Sequence, residues 1–159
     1  MRKITLLILA VLLILCGCGN ETPILESADF SFPMPEGYSI AYVENLSCSI
    51  QRDLDCVAVG GMEAVPLSGK ALTEKNATGI LNYLQTAFHQ TNDVEFITFH
   101  WEEPTTIVSI DMRVHHEDGS EAMFSHSFFE QDCLVYHLWL DTDALDDTDP
   151  GDFLSSALS

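Results

Sequence analysis

Between Glu95 and Asp141 the chain runs through four consecutive stretches in which apolar and polar residues alternate. This two-residue period most restricts what the chain can fold into, because alternation sends successive side chains to opposite faces of a pleated strand. The stretches are Glu95–Trp101, Ile107–His116, Ala122–Phe129 and Cys133–Asp141. They are punctuated by Glu103-Pro104-Thr105-Thr106, by Asp118-Gly119 and by Gln131-Asp132. Asp-Gly between alternating runs is the strongest short-range hairpin signal a sequence carries. The four stretches therefore predict an antiparallel meander.

Upstream, Phe30-Ser31-Phe32 alternates as a short strand before Pro33 and Pro35 break it. Tyr38–Val43, Leu46–Gln51 and Leu54–Val59 read as extended segments, with Gly60-Gly61 ending the third and Met62–Gly69 a loop or edge strand. Thr73–His89 carries Ala77, Ile80, Leu81, Leu84 and Phe88 at spacings of three and four, which predicts one long central helix. Asp149-Pro150, a capping residue followed by proline, predicts a short C-terminal helix to Leu158. The expected fold class is α+β: an antiparallel sheet of N-terminal strands plus the meander, packed with the central and terminal helices. In element order alone this resembles the PsbP/Mog1-like α-β-α sandwich, a resemblance that carries no functional residue.

The candidate site is set by the meander's faces. One face gathers Ile97, Phe99, Trp101, Val108, Ile110, Met112, Val114, Met123, Phe129, Leu134, Tyr136, Leu138 and Leu140, and is expected to be the core face. The other gathers Thr98, His100, Ser109, Asp111, Arg113, Phe124, His126, Phe128, Val135, His137 and Trp139. A two-residue turn at Asp118-Gly119 sets Asp111 opposite His126, and one at Gln131-Asp132 sets His126 opposite His137. His100 is then a diagonal neighbour. Imidazoles joined by a carboxylate suit Zn, Cu, Ni or Fe, so Asp111, His126, His137 and His100 are the candidate ligands of a divalent metal. The bland alternative is a solvated face with ordinary cross-strand hydrogen bonds. Phe124, Phe128 and Trp139 on that face are either covered by a second layer, the N-terminal strands or the C-terminal helix, or form a surface for a ligand or partner protein.

The N-terminus carries a different message. Met1-Arg2-Lys3, an apolar run from Ile4 to Leu15 and then Cys16-Gly17-Cys18 have the order of a secretory signal peptide. The tetrad Leu15-Cys16-Gly17-Cys18 resembles a bacterial lipobox. That resemblance implies cleavage after Gly17 and a lipidated Cys18, since lipidation at Cys16 would place Leu15 where a small residue is expected. Residues 1–17 are then the signal, 18–29 the lipidated cysteine and linker, and 30–159 a single domain, anchored by lipid outside the cytoplasm. The formal net charge is −19, and removal of the signal leaves only Arg52, Lys70, Lys75 and Arg113 against 25 acidic residues. Such a surface excludes nucleic acid as a partner and disfavours electrostatic docking on anionic lipid.

Disulfides are permitted outside the cytoplasm. Cys48 and Cys56 lie on one hairpin and are a possible disulfide; a turn at Arg52-Asp53 puts them on opposite faces, and a bulge or a longer loop would change that register. Neither a nucleophile elbow nor a phosphate loop is present, and the acidic tract Asp141–Asp149 lacks the glycine and glutamate of a calcium loop. The sequence thus points first to a non-enzymatic binding or accessory lipoprotein with a protein or small-ligand partner and no required cofactor. The alternative is a metal-binding domain built on the His/Asp row.

Overall fold

A computed structural model describes residues 30, 32–44, 46–65, 77–89, 93–102, 107–131 and 134–159. The signal, Cys18, the linker and Cys133 lie outside the described residues. Seven strands, β1 (Tyr38–Glu44), β2 (Ser47–Arg52), β3 (Ala58–Val65), β4 (Asp93–Glu102), β5 (Ile107–His115), β6 (Glu121–Gln131) and β7 (Leu134–Asp141), form one antiparallel sheet. Their order across it is β1-β2-β3-β7-β6-β5-β4.

The α+β expectation is corrected by this architecture, which is dominated by β structure. Among the described residues there are two short helical segments and no long central helix. Helix α1 covers Ala77–Tyr83 and passes at Leu84–Phe88 into a wider π turn, closed by the His89 N–H on the Leu84 carbonyl at 2.9 Å. The apolar period did locate the buried stripe, since Ile80 and Leu84 are buried. Residues 73–76 of the expected helix lie outside the described residues, and from Leu84 the regular i→i−4 bonding gives way to an i→i−5 bond that admits one extra residue. Helix α2, Pro150–Ala157, forms where its cap predicts: the Asp149 carboxylate accepts the Gly151 N–H at 2.8 Å.

Each face of the sheet has its own core. On one, Val65, Val108, Ile110, Met112, Val114, Phe128 and Val135 pack with Ile80 and Leu84 of the α1 segment. On the other, Ile50, Met62, Phe129, Tyr136, Leu138 and Leu140 pack with Phe153 and Ala157 of α2 and with Phe30. The acidic tract lies along the second layer: Arg52 pairs with Asp146 at 2.9 Å, Asp143 accepts the Met123 N–H, and Leu145 is buried.

Two local devices decide these faces. The β5–β6 hairpin closes through three residues, Glu117-Asp118-Gly119, with Gly119 at φ +85° and the His116 N–H on the Ser120 carbonyl. A left-handed third residue is what such a loop needs, and Asp-Gly provides it. The register is therefore Ile110↔His126, not Asp111↔His126. A slip of one residue turns a whole strand over, so the β5 apolar row shares a face with Phe124, His126 and Phe128 instead of with Phe129.

The second device is Gly60-Gly61, which lies inside β3 rather than ending it. A Cβ on Gly61 would stand 2.6 Å from the Cys48 carbonyl oxygen and 3.1 Å from Trp139 Nε1, and one on Gly60 would collide with the Trp139 carbonyl oxygen. The two glycines let β2 and β7 close on β3. Gly61→Ala is expected to cost about 1–3 kcal/mol in urea unfolding, the range of an overpacked site. An unchanged midpoint would show that the indole and strand shift without penalty.

Candidate functional site: a buried carboxylate–histidine relay

The structure brings together residues from four elements beneath the α1 segment. β7 presents His137 and β6 presents His126, diagonal neighbours on one face because Phe128 is directly opposite His137 and Trp139 opposite His126. β3 presents Glu63 directly opposite His137. The α1 segment adds Tyr83 and, past the π turn, His89.

These groups form a line of contacts. The Tyr83 hydroxyl donates to Glu63 Oε1 at 2.6 Å, and His137 Nδ1 lies 2.9 Å from the same oxygen. His137 Nε2 lies 2.8 Å from His126 Nδ1, and His126 Nε2 lies 3.5 Å from His89 Nε2. Neither His126 nor His137 has solvent-exposed surface, and His89 is 5% exposed. Phe128 stacks flat on His137, with centroids 4.4 Å apart and planes 2° from parallel, while Tyr83 meets the same ring edge-on.

The carboxylate gives the line a direction. A carboxylate only accepts, so His137 carries its proton on Nδ1 and offers a lone pair at Nε2. His126 then donates from Nδ1 and keeps its own lone pair on Nε2, toward His89. Burial pushes the Glu63 carboxyl up, but hydrogen bonds from His137 and Tyr83 outweigh it and hold it below the usual carboxylate range. Burial pushes the Tyr83 phenol far above its ordinary value, and its bond to Glu63 adds to this. Burial depresses all three imidazoles, His89 to about 4 and His126 well below its ordinary value. His137 is lowered by burial and partly restored by Glu63. At neutral pH the line is one anion and three neutral rings.

Of the sequence-predicted ligands, His126 and His137 thus meet and the other two do not join them. Asp111 is on the opposite face, where it pairs with Ser125 across the sheet and accepts a hydrogen bond from Thr98 at 2.7 Å. His100 is exposed on edge strand β4, opposite Ser109. Among the described residues no three His, Cys, Asp or Glu side chains converge as a metal-holding group.

The aromatic row also divides. Phe128 is fully buried, whereas Phe124 and Trp139 are partly buried, their ring centroids 6.4 Å apart. Phe128 is covered by the α1 segment, not by the N-terminal strands or the C-terminal helix expected to lie over this face; α2 packs in the opposite core.

Cys48 and Cys56 are free thiols. Cys48 is buried opposite Met62, and burial raises its thiol to about 11. Cys56 sits exposed in the β2–β3 turn at φ 55°. Cys48 is four residues from that turn, roughly 13 Å along an extended strand, beyond the reach of a disulfide.

Glu63 and His89 were not singled out by sequence reasoning. Glu63 lies beyond the two glycines taken as a strand end, and His89 reaches the site only through the π turn. The whole is an antiparallel seven-stranded sheet protein with a closed polar line in one of its two cores. No family model, curated protein or solved structure matches the chain.

Proposed function

We propose that this chain is a lipid-anchored domain on the outer side of a bacterial cytoplasmic membrane, working as a non-enzymatic binding or accessory protein. The observation that carries the anchoring is the tetrad Leu15-Cys16-Gly17-Cys18 behind a basic start and an apolar run. The run from Ile4 to Leu15 is shorter than the roughly 20 apolar residues of a spanning helix, and no helix among the described residues is long and apolar enough to cross a membrane. Two acyl chains on Cys18 hold a protein at a bilayer without help from charge. The non-enzymatic reading is supported by the burial of His126 and His137, neither of which has solvent-exposed surface.

The test is expression of the full chain in a bacterium fed labelled palmitate, beside Cys18→Ser. Wild type is expected to carry label and fractionate with membranes, and Cys18→Ser to lose the label. Label retained in Cys18→Ser, or lost only in Cys16→Ser, would overturn the assignment.

A further inference from the structure

The relay is tight everywhere except at one point. Its Tyr83–Glu63, Glu63–His137 and His137–His126 contacts span 2.6, 2.9 and 2.8 Å, whereas His126 Nε2 and His89 Nε2 stand 3.5 Å apart. Hydrogen bonds donated by nitrogen centre near 2.9–3.0 Å and fade beyond about 3.2 Å, so 3.5 Å is long for one. It is, however, the spacing of two ligands on one ion. Nitrogens bound at about 2.0–2.1 Å with angles between tetrahedral and trigonal lie roughly 3.3–3.6 Å apart.

We propose that the gap between His89 Nε2 and His126 Nε2 is a binding site for a single borderline-soft divalent cation of the Zn²⁺ class. His137 and Glu63 are the shell that orients His126. A metal-bound histidine is ordinarily fixed by a hydrogen bond from its other ring nitrogen, which sets the tautomer and raises ligand basicity. Here that bond runs from His126 Nδ1 to His137 Nε2, and Glu63 fixes His137 in turn. The lone pair of His126 Nε2 is thereby turned toward His89.

The donor set selects the ion. Two neutral imidazoles suit Zn, Cu or Ni and offer little to Mg²⁺ or Ca²⁺, which require oxygen. The described residues supply two of the four tetrahedral positions of such an ion. The inference stands on the relay alone and is independent of lipid anchoring.

Equilibrium dialysis of the untagged full chain in detergent against buffered Zn²⁺ tests it. The expected result is one ion per chain, with at least tenfold weaker binding in His89→Gln and His126→Gln and no change in His100→Gln or His115→Gln. Glu63→Gln is expected to weaken binding about 10–100-fold, the usual effect of removing a supporting carboxylate. Absence of stoichiometric Zn²⁺ in wild type, or full binding in a folded His89→Gln, would overturn the proposal. Should His126→Gln fail to fold, imidazole ¹⁵N spectra of the wild type decide. Zn²⁺ moving Nε2 of both His89 and His126 upholds the site, and Zn²⁺ moving only the exposed histidines removes it.

Discussion

Acidifying the metal-free protein from pH 7 to pH 4 is expected to lower its stability by several kcal/mol. The cause is the three imidazoles held neutral beneath the α1 segment. Each has a folded pKa below its unfolded value near 6.5, so below pH 6.5 the unfolded chain binds protons that the folded one refuses. Stability therefore falls as pH falls from 6.5 toward the folded values, and above about pH 7 the groups contribute no slope. His89, at about 4, accounts for roughly 3 kcal/mol of this at about 1.4 kcal/mol per unit.

Protonating surface carboxylates acts the other way, relieving self-repulsion in a chain of net charge −19. The share of His89 is therefore read as the difference between wild type and His89→Gln in urea unfolding across this range. Parallel pH profiles for the two proteins would show that His89 titrates normally in the folded state.

The second large effect is expected at Phe128. Its ring is fully buried, flat against His137 and edge-on to Tyr83. Phe128→Ala is expected to cost about 3–5 kcal/mol, the transfer of the ring plus the cavity it leaves. The cavity would border His137, so the loss should approach the upper end if the imidazole moves away from Glu63. Phe128→Leu, which keeps most of the volume, should cost much less. Equal losses for the two variants in urea unfolding would show that the stacked geometry, rather than filled volume, is what matters there.

How much of this was legible in the sequence depended on parity. The expected turn at Gln131-Asp132 is displaced so that Gln131 pairs with Leu134, a slip of two that keeps His126 and His137 on one face. Their meeting was therefore readable. The loop at Glu117-Asp118-Gly119 is off by one, and that odd slip sent Asp111 to the far side of the sheet. Hydrophobicity could not arbitrate, because both faces of β6 and β7 are covered and both carry large apolar residues.

Glu63 was out of reach for a different reason. It joins His137 through β3–β7 pairing across 74 positions of sequence, which no local pattern encodes. The helix was overread because an apolar stripe marks a buried face without marking where i→i−4 bonding gives way. The C-terminal helix was read correctly because its cap is a local device.

The open ends of the sheet have a consequence for how this protein coexists with copies of itself. β1 leaves Tyr42 and Val43 exposed at one edge, and β4 leaves Phe96, Ile97 and Phe99 exposed at the other. An unpaired edge with apolar side chains is a template for another strand. Each edge here is interrupted by a register irregularity, between Ile40 and Tyr42 in β1 and between Phe96 and Thr98 in β4. Asp93 and Glu95 line β4, and Glu44 ends β1. The chain's acidity thus also acts as a fence between neighbours crowded together. Its reach is the Debye length, about 10 Å at 0.1 M salt, so the fence works at close quarters and shortens as ionic strength rises.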